Sequence, residues 1–85
     1  MKTTWTATVE GKEIRITYGW FGGERLYVNG QLQDEKVSTF GTPTLTGHFI
    51  RGNGEKALLK ANLYMTFGLR CSLFVDDVKV PVTKS

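Results

Sequence analysis

Apolar side chains fall at every second position along most of this chain, the periodicity that lines one face of a pleated strand. Trp5, Ala7 and Val9 alternate with Thr4, Thr6, Thr8 and Glu10, and Ile14, Ile16 and Tyr18 alternate with Glu13, Arg15 and Thr17. Glu10-Gly11-Lys12 separates the two runs, so residues 4–18 read as a hairpin with a tight turn. Arg25-Leu26-Tyr27-Val28 is followed by Asn29-Gly30, the residue pair that most readily supplies the two positive φ angles of a two-residue hairpin turn. Gln31 and Leu32 begin the returning strand, which is expected to fade through Asp34-Glu35-Lys36. The stretch 36–43 reads as a connection, with Gly41 and Pro43 interrupting any ladder.

The pattern resumes with Leu45, Gly47 and Phe49 against Thr44, Thr46, His48 and Ile50, and a turn follows at Arg51-Gly52-Asn53-Gly54-Glu55. Ala57, Leu59, Ala61 and Leu63, opposite Lys60 and Asn62, predict a strand. The same stretch, 55–65, is rich in helix formers, and Leu58, Leu59, Asn62 and Leu63 would also make an amphipathic stripe, so both forms stay open. After a turn at Met65-Thr66-Phe67-Gly68, the side chains of Leu69, Cys71, Leu73 and Val75 are expected to face inward. Asp76-Asp77 turns the chain into Val78, Val80 and Val82. Together these elements predict one all-β domain over residues 1–85, an antiparallel β-sandwich or flattened barrel of about eight strands built from hairpins. Residues 12–30 and 56–77 repeat one grammar, ending in Tyr27-Val28-Asn29 and Phe74-Val75-Asp76, by duplication or by recurrence of a common hairpin.

Composition narrows the class. A chain of 85 residues with one cysteine has no intrachain disulfide and depends on packing alone. A reducing, cytoplasmic setting is expected. No stretch approaches the ~20 apolar residues of a membrane helix, and the first residues lack the apolar run of about 7–15 that a secretory signal carries. The net charge of +3 suggests a polyanion, but the eleven basic residues are interspersed singly with eight acidic ones, which disfavours nucleic acid and membrane surfaces.

The inventory for chemistry is poor. His48 and Cys71 are each the only residue of their kind, and their strand registers put them on different faces, His48 with Thr46 and Ile50, Cys71 with Leu69 and Leu73. Cys71 reads as a buried structural residue, and one His with one Cys is too few for a tetrahedral zinc site. Asp76-Asp77 is an adjacent carboxylate pair of the kind acid-base or calcium chemistry uses, but it sits where a hairpin turn belongs and is assigned to that turn. The glycines from Gly19 to Gly23 lie between strands, without the helix N-terminus that a phosphate loop needs. No catalytic, cofactor-binding or metal-ligating residue is assigned, and a non-catalytic binding module is expected.

Trp20 and Phe21, two large side chains in a glycine-flanked loop, are the candidate interaction surface, with Arg15 and Arg25 placed to add hydrogen bonds. The bland alternative is that they plug the open end of the sandwich. The expected partner is another protein, or a second copy joined through an edge strand; Lys2, Lys36 and Lys84 are placed to guard such edges. The alternative is a small ligand, a glycan or a single-stranded nucleic acid stacked on the Trp20-Phe21 loop.

The order of these pieces also carries a family resemblance. A Trp-led strand, a Gly turn, Ile14-Arg15-Ile16, Tyr27-Val28-Asn29-Gly30, Phe49-Ile50-Arg51-Gly52-Asn53 and Leu73-Phe74-Val75-Asp76-Asp77-Val78-Lys79-Val80-Pro81 follow one another from Trp5 to Pro81. The chain resembles a single domain of the Fas apoptotic inhibitory molecule family. The resemblance implies a non-catalytic antiparallel β-sandwich, and protein contacts in cell-survival signalling, with no catalytic residue to carry over. The animal proteins have two such domains where this chain has one.

Overall fold

In the computed structural model, residues 2–19, 23–37 and 44–85 are described; they form nine strands and no helix. These are β1 (Lys2–Val9), β2 (Lys12–Gly19), β3 (Gly23–Val28), β4 (Gln31–Lys36), β5 (Thr44–Ile50), β6 (Lys56–Met65), β7 (Leu69–Val75), β8 (Val78–Val80) and β9 (Thr83–Lys84). They pair antiparallel into a five-stranded sheet, β4-β3-β2-β1-β9, and a four-stranded sheet, β5-β6-β7-β8. The sheets stay separate, so the flattened barrel gives way to an open sandwich. Residues 55–65 resolve in favour of the strand: β6 alternates buried Ala57, Leu59, Ala61 and Leu63 with exposed Lys56, Leu58 and Lys60.

The hairpin turns are those the sequence demands. Glu10-Gly11, Asn29-Gly30 and Asp76-Asp77 each hold two successive positive φ angles, the conformation of a two-residue turn that matches the twist of its strands. Asn29 is tied to β2 as well, its N–H donating to the Glu13 carbonyl and its Oδ1 accepting from the Glu13 N–H.

Trp5, Ile14, Ile16, Leu26 and Val28 from one sheet meet Leu45, Phe49, Leu59, Leu63, Leu73 and Val75 from the other. Ile14, Ile16, Leu26, Leu45, Leu63 and Leu73 are fully buried, each worth about 1.5–3 kcal/mol of apolar burial. Glu24 is the exception on this inner face: it is buried, and its Oε2 has no hydrogen-bond partner among the described residues.

Three details depart from the sequence pattern. First, β4 does not fade at Asp34 but continues to Lys36 past an irregularity opposite Leu26 and Tyr27, because its polar side chains have structural partners. The Thr46 N–H donates to Asp34 Oδ2 (2.8 Å) and the His48 N–H to Gln33 Oε1 (3.2 Å), so β4 side chains cap the outer edge of β5. Gly47 permits this approach, since a Cβ there would lie 3.0 Å from Leu26 Cδ2 and 3.2 Å from Gln33 Cβ. Second, Val78, Val80 and Val82 do not form one strand. Pro81, which has no N–H to give to a ladder, ends β8, and the chain crosses to the other sheet. Third, that crossing creates β9, which pairs Thr83 with Thr6 and Lys84 with Trp5.

Candidate binding surface

The four candidate interaction residues separate into two groups. Trp20 and Phe21 lie outside the described residues. Arg15 and Arg25 lie on the outer face of the five-stranded sheet, where each already holds a carboxylate: Arg15 Nη2 donates to Glu13 Oε1 at 2.9 Å, and Arg25 Nε donates to Glu35 Oε2. Hydrogen bonding to Glu35, then to Tyr27, raises the Arg25 guanidinium above its ordinary pKa. Both pairs are about half exposed, so they fix local charge more than they stabilise the fold.

Cys71 and His48 are on opposite faces of the four-stranded sheet, as their registers require. Cys71 packs into the core, where burial pushes its thiol up to about 12 and leaves it protonated at neutral pH. His48 is exposed on β5. Among the described residues no three His, Cys, Asp or Glu side chains converge on a possible metal site.

Asp76 is occupied structurally. Its Oδ1 accepts from the Leu58 N–H (3.0 Å), its own N–H donates to the Leu58 carbonyl (2.9 Å), and its Oδ2 accepts from Arg51 Nη1 (2.6 Å). Arg51 Nε also donates to both oxygens of Glu10, so one guanidinium joins the β1–β2 turn to the β7–β8 turn across the two sheets. The Leu58 N–H, then Arg51, holds the Asp76 carboxyl below its usual range.

The outer face of the four-stranded sheet is the feature that the linear charge pattern concealed. Lys56, Leu58, Lys60, Asn62 and Tyr64 of β6 point away from the core, and Arg70, Ser72 and Phe74 of β7 and Lys79 of β8 share that face. Strand pairing sets Thr46, Lys60, Phe74 and Lys79 in one row, which places Phe74 directly between two lysines. The next rows carry Thr44, Asn62 and Ser72, then Tyr64 and Arg70. No Asp or Glu occurs in any of β5 to β8, and none of the four cations is ion-paired among the described residues. Leu58 and Ile50 are 59% and 52% exposed beside this row, adding an apolar patch to a cationic face.

Lys56, Lys60, Arg70 and Lys79 stand far enough apart in sequence to look scattered, yet the antiparallel ladder brings them together. Strand register was the signal that could have found them, because it shows which charges share a face and which acids do not. Comparison with known protein families, characterised proteins and solved structures gave no match, so the resemblance to the Fas apoptotic inhibitory molecule family stands on its sequence motifs alone.

Proposed function

We propose that this chain is a non-catalytic binding module whose partner is another protein, and that it presents the outer face of its four-stranded sheet to an acidic surface of that partner. The observation that carries this is the row Lys60–Phe74–Lys79, flanked by Lys56 and Arg70 and lacking any carboxylate on its strands. Unpaired like charges repel one another, and an acidic partner relieves that repulsion while steering the encounter. Exposed Leu58 beside half-buried Phe74 supplies an apolar centre with a charged rim, the common anatomy of protein interfaces.

A second reading has a specific observation behind it. Cations interleaved with Tyr64 and Phe74 also suit single-stranded nucleic acid, whose bases stack on aromatic faces while phosphates pair with lysine. The exposed aliphatic side chains Leu58 and Ile50 favour the protein.

The test is affinity capture from a soluble extract with wild type, a Lys60→Glu/Lys79→Glu variant and a Trp20→Ala/Phe21→Ala variant, beside titration with a thymidine dodecamer at increasing salt. A protein held by wild type and lost by the charge reversal supports the reading. Loss only with the aromatic variant moves the interface to the Trp20-Phe21 loop. Dodecamer binding that weakens steeply with salt, without a captured protein, replaces the reading with the nucleic-acid one.

A further inference from the structure

β7 pairs with β6 along its whole length, but β8 covers only Leu73 to Val75 on the other side. Pro81 then takes the chain away to β9, leaving Leu69 to Ser72 as an uncovered lane in line with β8. At about 3.3 Å per residue the lane is ~13 Å long.

Backbone alternation identifies the groups that face it. The two-residue Asp76-Asp77 turn makes Val75 and Val78 a hydrogen-bonded pair, and the N–H and C=O of every second residue point to the same side of an antiparallel strand. Leu73 therefore directs its backbone groups toward Val80 of β8, and Cys71 and Leu69 direct theirs toward the lane. The Leu69 carbonyl accepts a hydrogen bond from Lys84 Nζ at 3.2 Å, as this geometry requires. The N–H and C=O of Cys71 have no partner among the described residues.

A cleft of about 390 Å³ opens beside this edge. Trp5, Val82 and the fully exposed Phe67 supply apolar walls, while Arg70, Lys79 and Lys84 supply positive charge; no carboxylate lines it. A second copy of the chain would bring the same three cations against themselves if it paired through this edge. An acidic extended segment meets both demands, its main chain completing the β7 ladder and its carboxylates answering the cations.

We propose that an extended acidic segment of a partner protein adds as a strand along Leu69–Ser72 of β7, in the lane that β8 leaves at Pro81. This rests on the reading of the chain as a protein-binding module and names the chemistry of what it binds.

The test uses the full chain, isotopically labelled, titrated with a capped hexapeptide of alternating Glu and Val and observed by amide NMR and hydrogen exchange. Two further peptides are N-methylated at every Glu or at every Val, which removes the donors of one edge or the other. Strand addition predicts shifts at the Leu69 and Cys71 amides and slower exchange at Cys71. One methylated set should bind about tenfold or more weaker while the other is tolerated, because each set blocks a different edge. The Arg70→Glu/Lys79→Glu variant should lose the response.

Equal tolerance of both methylated sets, or shifts at Lys60 and Phe74 with none at Cys71, overturns strand addition while leaving the protein-binding reading intact. Absence of any response at millimolar peptide also overturns it, and the capture experiment above decides the broader reading separately. Protection of Cys71 that grows with protein concentration in the absence of peptide assigns the lane to a second copy and likewise contradicts the proposal.

Discussion

The two sheets of this sandwich are built by the same alternation and end in different outer surfaces. On the five-stranded sheet Thr4, Thr6 and Thr8 run along β1, and Arg15 and Arg25 are neutralised by Glu13 and Glu35 within their own face. On the four-stranded sheet Lys56, Lys60, Arg70 and Lys79 surround Phe74 and Tyr64 with no carboxylate on any strand. The first face pairs Arg15 and Arg25 internally and leaves only Lys2 without an ion pair among the described residues, whereas the second holds four such cations, with Asp76 and Asp77 at its border beside Leu58 and Lys60. Charges that share a face matter to recognition more than charges that share a stretch of sequence.

That contrast can be sharpened by substitution. The largest stability effect belongs to the inner layer: Leu73→Ala, at a fully buried position, should cost about 2–5 kcal/mol in chemical denaturation. Leu58→Ala, on the outer face of the same sheet, should change stability by less than about 0.5 kcal/mol. An intermediate loss, about 1–3 kcal/mol, is expected for Gly47→Val, because the new side chain intrudes on Leu26 and Gln33 where β4 caps β5. Faster exchange of the Thr46 and His48 amides would accompany it.

Asp76 provides the pH-dependent prediction. Its folded-state pKa is lowered, so its contribution to stability is fully present above the ordinary carboxylate value and is lost as pH falls through the folded-state value. Asp76→Asn keeps a residue that tolerates positive φ and removes the charge. The gap in thermal midpoint between wild type and this variant should be widest at neutral pH and close progressively in acid; a constant gap would refute the assignment. A comparably small effect falls on the five-stranded sheet, where Arg25→Ala should leave the thermal midpoint nearly unchanged, since its ion pair with Glu35 is about half exposed.

Much of the architecture was legible because its signals are local. Period-two runs gave the major strands and their inner faces, and Asn29-Gly30 and Asp76-Asp77 announced their turns. The misread details depend on contacts distant in sequence. Leu32 is half exposed and Asp34 and Glu35 are poor strand formers, so nothing local keeps β4 going; the backbone of β5 and Arg25 do so from elsewhere. Thr83 and Lys84 give no alternation to read, and β9 exists because the chain meets the edge of β1 after Pro81. The cationic face was hidden for the same reason: Lys60 and Lys79 are neighbours of Phe74 only through strand pairing. Arg15 and Arg25 were legible as charges but not as charges already satisfied.

The proposal that the outer face of the four-stranded sheet is the binding surface is checked by capturing partners from one extract with two matched charge reversals, Lys60→Glu/Lys79→Glu on the four-stranded sheet and Arg15→Glu/Arg25→Glu on the five-stranded sheet, each checked for folding. The first should lose the partner protein held by wild type and the second should retain it. Retention by the first, or equal loss by both, would overturn the proposal.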